Sequence, residues 1–112
     1  MENKTAVTAL AALAQESRLS IFRALVQAGL DGLAAGKISE ATGIAPSSLS
    51  FHLKELVHAG LIRSRNESRF VIYAANFEAM NELLAFLTEN CCGGKPCSPP
   101  QPVCREEHAN QP

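Results

Sequence analysis

The sequence predicts a mainly α-helical domain with one small β-hairpin (α+β), its elements in the order α-α-α-α-β-β-α. Three observations carry this. Apolar residues recur every three or four positions through most of the first 90 residues. One stretch, Arg69 to Ala74, alternates instead. Glycine- and proline-containing breaks separate the periodic stretches.

Thr5 to Ala14 is alanine-rich, with Leu10 and Leu13 at helical spacing. Ser17 is suited to cap a second helix, whose Leu19, Ile21, Phe22, Leu25 and Val26 form a broad apolar stripe. Three glycines between Gly29 and Gly36 predict a break. Ile38 to Thr42 reads as a short helix stopped at Gly43, a natural C′ residue. Ala45-Pro46-Ser47-Ser48 opens a further helix, with either serine as cap, that runs to Ala59 and stops at Gly60. Leu61 to Arg65 and Arg69 to Ala74 form the hairpin around Asn66-Glu67-Ser68. Asn76 is suited to cap a last helix from Phe77 to about Glu89, with Met80, Leu83, Leu84 and Leu87 on one stripe.

With 112 residues, 46% of them hydrophobic, the chain has the makings of one compact domain and is not disordered throughout. The longest runs without a charged residue, Thr5 to Gln15 and Ala41 to Leu53, are too short to cross a bilayer. Glu2, Asn3 and Lys4 do not resemble a secretory leader, so a cytoplasmic location is expected. A net charge of −1 argues against a strongly basic nucleic-acid binder. The distribution says more, because residues 45–75 hold Lys54, Arg63, Arg65 and Arg69 against only Glu55 and Glu67, and the end of the chain is acidic. The sequence divides into a patterned domain over residues 1–90 and a tail over 91–112. That tail holds all four cysteines and all but one of the prolines. It lacks the large apolar groups that offset chain ordering and is expected to be flexible.

The segment from Ile38 to Ala59, a short helix, a glycine-containing turn and a second helix, has the makings of a helix-turn-helix. In the second helix Leu49, Leu53, Leu56 and Val57 make the core stripe, leaving Ser47, Ser48, Ser50, His52, Lys54 and Glu55 on the surface. Small hydroxyls at a helix N-terminus approach DNA closely, and the helix end itself favours anions. Arg63, Arg65 and Arg69 make the following hairpin a basic wing, suited to phosphate or minor-groove contact. The expected DNA-binding residues are therefore Ser47, Ser48, Ser50, His52, Lys54, Arg63, Arg65 and Arg69.

ALAQESRLSIFRALVQAG, ISEATGIAPSSLSFHLKELVHAGLI and RSRNESRFVIYAAN together resemble the ArsR/SmtB winged helix-turn-helix repressors over residues 5–90. The resemblance implies a homodimer whose first and last helices pair, and release of double-stranded operator DNA when metal or metalloid binds. It places Ser47, Ser48, Ser50 and His52 where the family reads the major groove. Phe51 falls where other members often have a polar contact. Dimerisation also has a physical basis: Ala6, Ala9, Leu10, Leu13, Leu83, Leu84 and Leu87 exceed the apolar needs of one small core.

Cys91, Cys92, Cys97 and Cys104 follow the pattern C-C-x4-C-x6-C. An even count suits disulfides, although nothing at the start of the chain points to an oxidising compartment. Structural zinc usually employs C-x2-C pairs, which are absent here. Soft thiolate ligation of a thiophilic ion remains. A trivalent metalloid takes three sulfurs in a pyramid, and Cys91, Cys92 and Cys97 supply them across a glycine-containing loop, with Cys104 spare. Two comparisons with the family agree. Gly32 to Thr42 lacks the cysteines of many arsenic-sensing members, and Phe77 to Asn90 lacks the histidine ligands of zinc-sensing members. The remaining resemblance is to arsenic-responsive repressors with vicinal cysteines beyond the last helix. As(III) or Sb(III) is thus the expected effector, with no organic cofactor; a Zn(II)/Cd(II)-responsive or thiol redox-sensing repressor stays open. No cysteine-histidine arrangement, paired carboxylates or phosphate-cradling glycine motif points to an enzyme.

Overall fold

The computed structural model describes residues 1–94; Cys97 and Cys104 lie outside the described residues. Five helices and three strands follow one another as α1 (Asn3–Leu13), α2 (Glu16–Ala28), β1 (Leu33–Ala34), α3 (Ala35–Thr42), α4 (Pro46–His58), β2 (Ile62–Glu67), β3 (Phe70–Ala75) and α5 (Phe77–Leu87). The architecture is a winged helix-turn-helix: a helical body with a small antiparallel sheet in the order β1-β3-β2. Among the described residues no helix is long and apolar enough to cross a membrane.

The core collects one stripe from nearly every element. Ile21 and Leu25 of α2, Ile38 of α3 and Leu56 of α4 are completely buried, each contributing on the order of 1.5–3 kcal/mol of apolar burial. Leu49, Leu53, Leu61, Ile62, Phe77 and Leu83 close the same cluster. The predicted stripes are wider than the buried ones: Leu19 and Val57 are exposed. Leu49, Leu53 and Leu56 already lie within one narrow arc of α4, and Val57 falls past its edge.

Several local expectations are corrected. Gln15, not Ser17, caps α2, its side chain accepting from the Arg18 amide at 2.9 Å. Neither Ser47 nor Ser48 caps α4. Ala45 holds that place in extended backbone and Pro46 takes the first turn, because a proline pushes the preceding residue out of helical conformation and needs no N–H partner itself. The glycine-rich break contains the two-residue β1, which pairs with Tyr73 and Ile72, and α3 starts three residues earlier than periodicity places it. Gly32 makes this pairing sterically feasible. Its backbone lies at φ 70°, ψ −170°, a region essentially reserved for glycine, and a Cβ there would collide with the Tyr73 carbonyl. In the hairpin Glu67 pairs with Phe70, so Arg69 sits in a two-residue turn with Ser68 and does not begin a strand. Asn76 caps α5 as expected, accepting from the Ala79 amide at 3.2 Å, but the helix ends at Leu87.

Candidate nucleic-acid interface and cysteine cluster

The turn between α3 and α4 is built from short side-chain bonds. Thr42 Oγ1 donates to the Ile38 carbonyl at 2.7 Å and accepts from the Ile44 amide at 3.3 Å. Ser39 Oγ donates to the Ile44 carbonyl at 2.6 Å. Gly43, left-handed at φ 75°, ψ 9°, lets the chain reverse between them. Leu49, Leu53 and Leu56 then pin α4 to the core, so its opposite side stands outward. Ser47, Ser48, Ser50 and Lys54 are all exposed there.

His52 is only half exposed and belongs to a junction. Arg18 Nε donates to the Ala12 carbonyl at the end of α1 at 2.7 Å, and Arg18 Nη1 lies 3.4 Å from His52 Nδ1. A guanidinium has donors only, so Nδ1 is the acceptor in this contact. His52 in turn meets Phe51 in an edge-to-face contact, with ring centroids 5.7 Å apart and 64° between planes.

In the wing, Arg63 and Arg69 are exposed. Arg65 is engaged within the chain: Nη2 donates to the Asp31 carbonyl at 2.7 Å, Nη1 to Leu30 at 3.4 Å, and Nε to Glu67 Oε2 at 2.9 Å. It straps β2 to the turn that precedes β1. The structure thus gathers the eight expected DNA-binding residues on one helix and one hairpin, with Arg65 and His52 occupied internally. Two neighbours of this surface, Phe51 and Arg18, are not among those eight. The signal for Phe51 was present, since it falls opposite the leucine stripe of α4; Arg18 gave none, because its partners are distant in the chain.

Beyond α5 the backbone turns left-handed at Asn90, Cys92, Gly93 and Gly94. Cys91 is an exposed thiol and Cys92 is disulfide-bonded. Cys97, the third expected ligand, and the spare Cys104 lie outside the described residues. Among the described residues no three histidine, cysteine or acidic side chains are grouped to hold a metal ion.

A family profile described as a helix-turn-helix domain matches residues 13–65. The chain is 32% identical over 87 residues to the HTH-type transcriptional regulator YgaV of Escherichia coli (strain K12), covering 78% of this chain and 86% of that one. It is 36% identical over 81 residues to the arsenical resistance operon repressor of Bacillus subtilis (strain 168), covering 72% and 73%. Among solved structures it resembles reduced HlyU from Vibrio cholerae N16961, with 39% identity, TM-score 0.59 and 75% and 88% of the two chains covered. It also resembles the homodimeric winged helix-turn-helix DNA-binding domain of Mb0332 from Mycobacterium bovis, a possible ArsR-family transcriptional regulator, with 29% identity, TM-score 0.63 and 76% of each chain covered. By these descriptions YgaV is a transcriptional regulator, the Bacillus protein an operon repressor and the Mb0332 domain part of a possible transcriptional regulator. Sequence likeness and fold agree, and the chain belongs to the ArsR family of winged helix-turn-helix transcriptional regulators.

Proposed function

We propose that the protein is a dimeric repressor that leaves its operator when As(III) or Sb(III) is bound by the thiolates of Cys91, Cys92 and Cys97. The observation that carries this is the vicinal pair Cys91-Cys92 in the turn directly after α5, because once the Cys92 disulfide is reduced the two adjacent thiolates begin the trigonal sulfur set that a trivalent metalloid takes. Likeness to an arsenical resistance operon repressor supports it. Ser47, Ser48, Ser50 and Lys54 of α4 enter the major groove, while Arg63 and Arg69 hold phosphates.

The dimer rests on α1 and α5, which pack against each other. Ala6, Ala9 and Leu83 are consumed by the core, but Val7, Leu10, Leu84 and Leu87 are 62%, 40%, 45% and 56% exposed. A twofold partner covers these residues and sets two α4 helices about 34 Å apart, one turn of DNA. The homodimeric state of the Mb0332 domain supports the same arrangement. Ligation next to α5 alters that seam. Release follows if the ion binds the DNA-free state more tightly, with a coupling of about 1–3 kcal/mol, or roughly 5- to 150-fold in affinity.

A second reading, thiol redox sensing, is favoured by the disulfide at Cys92. Operator binding measured under reducing conditions with As(III), Sb(III), Zn(II) or Cd(II), and separately with peroxide, decides between them. Release by the metalloids supports the first reading, release by zinc or cadmium alone overturns it, and release by peroxide alone establishes the second.

A further inference from the structure

The outermost position of α4 is held by an aromatic ring. At about 100° per residue, Phe51 lies about 200° around the helix from Leu49, and Leu49, Leu53 and Leu56 define the buried arc. Its neighbours on the outward side, Ser47 and Lys54, are polar and exposed. Phe51 itself is 58% exposed, so its ring is not part of the core. Serines near the start of a helix make close approach to a base edge easy, and the ring stands one turn further along.

The ring is also held in place. Arg18 fixes the His52 imidazole through Nδ1, and the imidazole meets the Phe51 ring edge to face. A pre-positioned apolar group loses little freedom on binding. In the major groove the donor and acceptor atoms of base edges offer such a ring nothing. The 5-methyl group of thymine is the apolar feature exposed there.

We infer that Phe51 determines operator specificity by packing against a thymine methyl in each half-site, with Arg18 and His52 as residues that position its ring. This inference rests on the DNA-binding reading proposed above. It adds a base-reading contact outside the polar set expected from the sequence.

The test begins with duplexes selected from a randomised pool by the wild-type protein. In the selected site, thymidines are replaced pairwise by deoxyuridine, which removes only the methyl. Burying one methyl contributes about 0.8 kcal/mol. Losing two, one per half-site, therefore weakens wild-type binding about 15-fold, equivalent to about 1.6 kcal/mol at 1.4 kcal/mol per tenfold. Phe51→Ala weakens binding to the thymine duplex to a similar extent and no longer distinguishes it from the deoxyuridine duplex. Phe51→Leu keeps the distinction. The inference is overturned if every thymine methyl is dispensable to the wild type, or if Phe51→Ala responds to methyl removal as strongly as the wild type does. Recovery of no duplex at all overturns the DNA-binding reading and this contact with it.

Discussion

Arg65 Nη2 donates to the Asp31 carbonyl across 34 positions of chain at 2.7 Å. A residue that sequence pattern places among the DNA contacts is thus also the clasp between wing and body. The two roles separate in a salt titration. Arg65→Ala is expected to weaken operator binding by loosening the hairpin while leaving the slope of log K against log salt nearly unchanged. Arg69→Ala, at the exposed tip, lowers that slope by about 0.9 for each phosphate that the arginine neutralises. Fluorescence anisotropy across a salt series reads both; a large fall in slope for Arg65→Ala would make it a phosphate ligand after all.

Gly32→Ala is expected to destabilise the fold by about 1–3 kcal/mol from backbone strain alone, with the collision at the Tyr73 carbonyl adding to it. Urea unfolding followed by circular dichroism measures the change. Gly43→Ala, left-handed but with open space where its Cβ would go, serves as the milder comparison.

These glycines mark where sequence reading works and where it stops. The stop at Gly43 was legible because a helical stripe ends there and the next residue favours left-handed backbone. The strand beside Gly32 was not, because two residues carry no period and their pairing with Ile72 and Tyr73 is decided by the distant wing. Ser47 and Ser48 do not cap α4 because a neighbour equally visible in the sequence decides it: Pro46 constrains Ala45, and residue type at the following positions then matters little. Within the expected interface, exposure was legible from the leucine stripe of α4. The internal ties of Arg65 and His52 were not, since each partner lies on an element far away in the chain.

Leu84→Glu combined with Leu87→Glu is expected to yield a folded monomer. Both side chains are exposed in the single chain, so the helical signal survives while sedimentation reports half the mass. Operator affinity then falls by at least tenfold, because a monomer holds one half-site and no longer engages both at once. A dimer that persists would move the seam away from α5.

Serine substitution at Cys91, Cys92 or Cys97 is expected to abolish arsenite-driven release from operator DNA, and substitution at Cys104 to spare it. All four variants keep wild-type affinity without effector, as the thiols lie outside the DNA-facing helix. If Cys104→Ser abolishes release and Cys97→Ser does not, the third sulfur is Cys104.

One guanidinium, that of Arg18, fastens the end of α1 through the Ala12 carbonyl and the flank of α4 through His52. In the dimer proposed above, the corner of the molecule nearest the second copy and the corner nearest DNA would therefore share a rivet. Any tilt given to α1 reaches the reading helix without first having to travel through the wing or the sheet.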